Sequence, residues 1–444
     1  MQAIRHPVGQ RGASIACKQA PTQGRSRSHN RGFALVITLA LLSLLVLAVF
    51  ALSALTRVNS QIASVSVYQT QARQNALLGL SVGLGDLQRY AGDDSRLTGM
   101  AGITGIAANA ANSTRHWCGV WQQGNGAFVR WLASGAQTSG TAAVQAGLAT
   151  VELVGPNTVG AAASNSEHSI AGKIPVTLTD TAAAPGVPVT VGGYAWLVVD
   201  EGVKISAYAS AAQLSITNVK PLITSTSATS AAGKLDAAID TYTARLPAVI
   251  SYEQLSLLPT PAAALTPSVL QDNFHHVTLT NRTVSGNQYF AGNININTTS
   301  AVVWRSILET YNSVPGVPQI TTPNLTARGN ALGNNLAASN AGKPVSGPFT
   351  TVAALQAYLA TVFPATGSPT AAEIMNAIAP MLAVRSDTFR IRAYGEALNP
   401  VDVTKTEAKA FCEAIVQRTP ESAPNGLGKR YVITYFRWLG ADDI

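Results

Sequence analysis

From Phe33 to Thr56 this chain carries no charged residue: FALVITLALLSLLVLAVFALSALT. A helix needs about 20 apolar residues to cross a bilayer core, and this run meets that length. Gly32 stands immediately before it. Ahead of Gly32 lie Arg5, Arg11, Lys18, Arg25, Arg27 and Arg31, with no acidic residue among them. Basic residues beside a membrane helix stay on the cytoplasmic side. The pattern therefore predicts one membrane-spanning helix, N-terminus cytoplasmic, with the C-terminal bulk exported. An ordinary secretory signal has a shorter apolar core followed by a small-residue cleavage site. Here the candidate signal, Arg31-Gly32 before Phe33, precedes the core. The alternative is a plain signal anchor in which Gly32 is incidental.

The formal net charge is +8, and taking away the six basic residues ahead of the run leaves +2 for the rest. The basicity is thus mainly an orientation signal. A nucleic-acid footprint needs basic residues clustered on the folded part, so no nucleic-acid partner is expected. Charged residues make up 12% of the chain, low for a soluble enzyme. The sequence holds no GxSxG, HExxH, Walker A or dinucleotide fingerprint. No enzyme activity and no cofactor are expected. His275-His276 is the only adjacent histidine pair. Neighbouring side chains on a strand point to opposite faces, so the pair predicts surface residues and no joint ligation. Of the three cysteines, Cys17 lies ahead of Gly32. Cys118 and Cys412 remain, and an oxidising compartment permits one disulfide between them. Without CxxC or histidines at ligand spacing, a zinc site is not expected.

After Arg57 the chain turns amphipathic. Val58, Ile62, Val65, Ala72, Ala76, Leu80, Leu84 and Leu87 recur mostly three and four apart, the helical period. Gly92 followed by Asp93-Asp94 supplies a stop. One helix from Phe33 to about Tyr90 is predicted, its outer half packed on a globular head. Gly79 and Gly83 either allow close approach of a sheet or weaken the helix by about 1 kcal/mol each. His116–Trp121 and Ala127–Leu132 read as a hairpin around Gln122–Gly126. Trp117, Trp121 and Trp131 are read as cover for the helix's apolar face, with a carbohydrate platform as the alternative. Strand signals recur at 150–154, 174–178, 189–191 and 194–199, and Asp200-Glu201-Gly202 reads as a solvated turn. Leu214 to Lys234 and Asn324 to Pro348 read as loops. Asn293–Thr298 alternates as a short strand, and Thr299-Ser300 caps a helix. Thr351–Val362 and Ala371–Leu382 are further helices. At the end, Thr388–Tyr394 is a strand. Thr404-Lys405-Thr406-Glu407 is a capping box opening a helix with Ala408, Phe411, Cys412 and Ile415 on one face, and Arg430–Trp438 is a last strand.

The basic segment, Gly32-Phe33 and the apolar run together resemble the prepilin-type leader of type IV pilins and type II secretion pseudopilins. The layout is similar to the minor pseudopilin K group, through Asn295–Thr298 before a helix and Ser386–Arg390 entering a late strand. The segments LGDLQRYAGDD, YAWLVVDEGVK, RSDTFRIRAYGEA and FCEAIVQRTPE also resemble the Verru_Chthon cassette protein A group. These motifs cover a third of the chain at most. The resemblance implies cleavage after Gly32 by a prepilin peptidase and methylation of Phe33. It implies assembly with other pilins or pseudopilins through the N-terminal helix, and an inner-membrane anchor with a periplasmic head. Most pilins carry glutamate at the fifth mature position; here it is Ile37, which the K-type component also tolerates. Some pseudopilin heads hold calcium through acidic loops, which makes Asp200 and Glu201 weak calcium candidates.

The expected fold is α+β. Residues 1–32 form a leader, 33–56 the membrane helix, 57–92 its amphipathic continuation and 93–205 a β-rich head. A mostly helical insertion follows over 206–381, and a strand-helix-strand unit over 382–444 completes an antiparallel sheet. The function this implies is a minor pilin or pseudopilin at a filament tip. The alternatives are a membrane-tethered adhesin or DNA-capture module and, last, an anchored hydrolase.

Overall fold

The computed structural model describes residues 31–106, 113–160, 166–179, 188–206, 271–278, 281–284, 287–290, 294–312, 314, 316–337, 347–363 and 369–444. The basic leader up to residue 30, the loop expected at Leu214 to Lys234 and most of the first half of the expected insertion lie outside the described residues. The chain divides into two compact units, Met1–Ala63 and Ser64–Ile444. One helix, α1 (Arg31–Ala91), contributes to both.

In the first unit α1 is apolar and uncovered. Phe33, Leu39, Leu47, Phe50 and Leu52 are all exposed, and none of the most apolar window is buried. The hydroxyls of Thr38, Ser43 and Thr56 donate back to the carbonyls of Leu35, Ala40 and Leu52. Polar side chains satisfied within their own helix suit a hydrocarbon surrounding.

The second unit is built on a five-stranded antiparallel sheet in the order β16-β15-β14-β7-β6. In chain order the strands are β1 (Arg96–Met100), β2 (Cys118–Gln122), β3 (Phe128–Trp131), β4 (Thr150–Val154), β5 (Ser169–Gly172), β6 (Ile174–Thr179), β7 (Pro188–Asp200) and β8 (Ile205–Ser206). They continue as β9 (Val277–Thr278), β10 (Asn281–Val284), β11 (Asn287–Phe290), β12 (Ile294–Asn295), β13 (Leu382–Ala383), β14 (Thr388–Leu398), β15 (Thr406–Ser422) and β16 (Lys429–Leu439). Among the described residues the longer helices after α1 are α2 (Ala301–Asn312), α3 (Thr322–Ala337), α4 (Val352–Val362) and α5 (Ala371–Ile378).

Both faces of the central strands are buried, β14 almost throughout and β7 and β15 over their middle and inner parts, and the period of two along each strand sorts the residues. Trp196, Val198, Phe389, Ile391 and Ala393 share one cluster with Ala72, Ala76, Leu80 and Leu87 of α1. Ala195, Leu197, Val199 and Tyr394 face the other way, into a cluster with Trp117, Trp121 and Trp131. The tryptophans are therefore core, as expected, but on the face opposite α1 rather than over it. Ring pairs such as Trp121 on Trp131, edge-on at 5.6 Å, fill that layer.

The seam between α1 and the sheet is made of small residues. A Cβ added at Gly395 would fall 2.2 Å from the Ala72 carbonyl oxygen and the Ala76 nitrogen, so helix and strand touch backbone to backbone. On the helix, Gly83 lies under the Trp196 ring and Gly79 against the Ala195 carbonyl. Close approach, not helix weakening, is what these glycines provide. Their cost of about 1 kcal/mol each is offset by burying Leu80 and Leu87, about 1.5–3 kcal/mol apiece.

The helix expected after Thr404 is strand β15. Thr404 hydrogen-bonds the Asp402 carboxylate through its backbone N–H and its hydroxyl, so the residues that mimic a cap form a hairpin turn. Ala408, Ala410, Cys412, Ala414 and Val416 then alternate toward α1. β15 pairs with β14 on one side and β16 on the other. Two ladders of main-chain bonds and a fully packed face override the helix propensity of alanine. The C-terminal region is thus strand-strand-strand.

The helices α2 to α5 surround Trp304, Ile307, Tyr358, Phe363 and Ile378 in a separate apolar cluster. Ser300 caps α2 by accepting the Val303 N–H, as read from the sequence, and Thr351 caps α4. The stretch expected to be a loop from Asn324 includes most of α3. Its glycines are seam residues: Gly329 and Gly333, one turn apart, pack on Arg305 and Ala301 of α2. Asn295 and Asn297 bind this part to the sheet side. The Asn295 amide donates to the Thr98 carbonyl and the Ser386 hydroxyl. Asn297 donates to the Thr98 carbonyl and accepts from the Phe349 N–H.

Gly395→Ala is expected to destabilise the full chain by at least about 1–3 kcal/mol, the usual penalty of overpacking. Gly124→Ala, where nothing lies within 4 Å, should stay within about 0.5 kcal/mol. Urea unfolding of the detergent-solubilised variants, followed by tryptophan fluorescence, measures both.

Candidate functional site

Asp200 and Glu201 were read as a solvated turn with a weak claim on calcium. Both are buried. Asp200 accepts the Gly202 N–H, and burial pushes its carboxyl up to about 6. Glu201 receives Lys204 Nζ at 2.7 Å and Arg390 Nε at 2.9 Å. Burial alone would raise Glu201, but those two cations outweigh it and hold the group at about 2. Both cations meet Glu201 Oε1, and a carboxylate neutralised in this way gains less from a further cation than a free one does.

The network continues across the sheet. Arg390 reaches Glu413 at 2.8 Å, Arg392 reaches it at 2.8 Å and Arg437 at 3.1 Å. Arg392 also donates to the Leu153 carbonyl and the Thr158 hydroxyl. Lys204, Arg390 and Arg392 lie over the Phe274 ring at 4.8, 5.3 and 4.9 Å. The Phe274 ring face thus shares the excess positive charge. Arg390 and Arg392 alternate with Phe389, Ile391 and Ala393, so β14 presents charges to one buried face and apolar groups to the other.

Beside this network sits a second cluster. His116 and Arg115 precede β2, Glu167 precedes β5, and His275 and His276 precede β9. Arg115 holds Glu167 Oε1 at 2.8 Å and also reaches the Thr299 hydroxyl. His116 Nε2 lies 3.0 Å from Glu167 Oε2, and His275 Nε2 lies 2.8 Å from the Glu167 backbone oxygen. Burial would raise Glu167, but its hydrogen bond with His116 and the nearby Arg115 bring it down to about 2, so it is ionised. A carbonyl and a carboxylate only accept hydrogen bonds. Both imidazoles therefore donate through Nε2, and Nδ1 carries the lone pair. Among the described residues the His275 Nδ1, which is buried, has no hydrogen-bond partner. The two rings are stacked, centroids 3.5 Å apart and planes within 7°. His276 Nδ1 meets the Ser300 hydroxyl at 2.7 Å.

Of the histidine pair expected at the surface, His275 is buried and His276 half-buried, and the turn ahead of β9 aims the two rings at different partners. His116 and Glu167 were not singled out from the sequence. They lie 51 residues apart, and Glu167 and His275 lie 108 apart, so no local spacing betrays them.

The other sequence-derived positions are scattered. Gly32 and Phe33 lie in the first turns of α1, with Phe33 exposed. Cys118 and Cys412 are both free and buried rather than bonded. Cys412 directs its thiol at the Ala76 carbonyl and Cys118 at the Gly119 carbonyl. Burial pushes the Cys412 thiol up to about 12 and Cys118 well above the usual value. Protonated thiols are poor nucleophiles for exchange. A cleft of about 450 Å³, lined by Asp94, Arg96, Gln123, Thr351, Arg385 and Asp387, lies elsewhere in this unit. Its two aspartates are paired with Arg385 and Arg418.

Burial lowers the three clustered histidines, His276 to about 4 and His275 well below its ordinary value. A base with a lowered folded pKa takes up its proton on unfolding. Its contribution is therefore complete above about 6.5 and is lost as the pH falls from there toward the folded value. Stability of the chelator-treated chain should fall between pH 6.5 and 4, each histidine adding up to about 1.4 kcal/mol per unit. Urea midpoints across that range check the slope, and a flat profile would contradict the buried, neutral assignment.

No protein-family model, no curated protein and no solved structure matches this chain.

Proposed function

We propose that the chain is a pilin-type envelope subunit: a non-enzymatic component of a type IV pilus or type II secretion-like filament. One observation carries the reading. A single helix is bare and apolar over its first half and becomes the central strut of an antiparallel α+β head over its second half. A bare apolar surface of that extent needs either lipid or neighbouring helices around it. In this reading Gly32 is the processing position, Phe33 becomes the methylated terminus, and the face from Phe33 to Leu55 anchors the chain in the inner membrane and contacts other subunits. The basic leader stays cytoplasmic and the head is periplasmic.

Ile37 supports a position at the filament tip. In pilins the glutamate at that position neutralises the terminal amine of an adjoining subunit, and a buried unpaired charge is expensive. Isoleucine cannot pair with an amine. A tip subunit has no such amine ahead of it to neutralise. The separate helical cluster around Trp304 and Tyr358 enlarges the head beyond what repeated stacking of identical subunits favours.

Intact-mass analysis and quantification of membrane-extracted, sheared filaments test both parts. The expected result is a chain beginning at N-methylated Phe33, present at low copy number beside a more abundant subunit. Gly32→Val should retain the leader. A mature terminus within or after the apolar run would contradict the processing, and this chain as the major component would contradict the tip position.

A further inference from the structure

We infer that His116, Glu167 and His275 form a binding site for one divalent transition-metal ion, with zinc as the best match. Their ligand atoms lie within 4.8 Å of one another, from three segments that converge only in the fold. Two imidazoles and one carboxylate suit zinc and its first-row neighbours, whereas calcium takes oxygen ligands. Three protein ligands also leave the fourth position that an open zinc site keeps.

The orphaned nitrogen of His275 is the strongest indication. Leaving a buried polar atom unpaired costs about 1–3 kcal/mol, and the His275 Nδ1 is such an atom. Its other nitrogen is held by the Glu167 backbone carbonyl. Metal-ligating histidines are oriented in this way, donating one ring N–H to a carbonyl or carboxylate and offering the other nitrogen to the ion. Arg115 performs the same service for Glu167, fixing Oε1 so that Oε2 is directed into the cluster.

One movement accompanies loading. An ion sits at about 2.0–2.1 Å from a histidine nitrogen, close to the plane of its ring. Two parallel rings 3.5 Å apart do not share such a point. His275 is tethered to the backbone, so His116 is the ring that turns, exchanging its hydrogen bond to Glu167 for a bond to the ion. The bound ion would tie together the segments ahead of β2, β5 and β9.

The test uses the detergent-solubilised full chain, stripped with chelator, in a His6→Ala/His29→Ala background that removes the leader histidines. Zinc content after gel filtration should approach one ion per chain, and cobalt should give the intense visible bands of a four-coordinate site. His275→Gln and His116→Ala should each weaken zinc binding at least about 10- to 100-fold, the loss seen on disturbing even outer partners of a site. His168→Ala, whose ring pairs with Glu152 outside the cluster, should bind as the parent does. A parent that retains no zinc, or a His275→Gln chain that retains as much as the parent, would overturn the inference. If the variants fail to fold, the parent's cobalt spectrum decides alone: a weak, six-coordinate spectrum overturns it.

Discussion

Helix α1 and strand β14 meet at backbone contact distance, with only Gly395 between the strand and the main chain of Ala72 and Ala76. Much of the head follows from this constraint. A helix that close to a sheet leaves room for alanine, glycine and cysteine, and those are the residues found: Ala393, Ala397, Ala408, Ala410, Cys412 and Ala414 on the strands, and Ala72, Ala76, Gly79 and Gly83 on the helix. Larger groups fill the places where the two surfaces diverge, as Trp196, Phe389 and Leu87 do. The Asn75 amide closes the seam by donating to the Glu396 carbonyl.

With one face of the sheet given to α1, the other has to be covered by separate elements. The β1–β3 hairpin layer supplies the tryptophans over one part of it. Over the rest, the strands present arginines and glutamates that are buried in an ion-pair network instead of facing water. Buried charges of this kind add little net stability compared with an apolar core, but removing one partner leaves the others stranded. The histidine cluster borders that network and shares its low-dielectric surroundings. The same burial that holds Glu201 between its cations keeps the imidazoles neutral.

The long helix, the hairpin of β2 and β3, the strands β4, β6, β7, β14 and β16, the cap of α2 and the helices α4 and α5 were legible because each depends on local periodicity or on a residue within four positions. Strand β15 was misread because Thr404–Glu407 resembles a cap and alanine favours helices; only pairing to two neighbours reveals the strand. Helix α3 was read as a loop because Gly329 and Gly333 look like breakers until α2 lies against them. The alternation of Arg390 and Arg392 was visible, yet the sequence could not say that the polar face would be buried. For His116, Glu167 and His275, only the fold brings residues so distant in sequence together, and no pattern at helical or strand spacing connects them.

The central claim is that the outer half of α1 is structurally part of the head rather than a stalk that supports it. Amide hydrogen exchange of the full chain in nanodiscs measures this directly. Stretches that unfold only globally share one slow exchange rate, whereas a separately opening segment exchanges faster. The account predicts that Ala72 to Ala91 exchange as slowly as the amides of β14. Rapid exchange of that half of the helix beneath a protected β14 would contradict it.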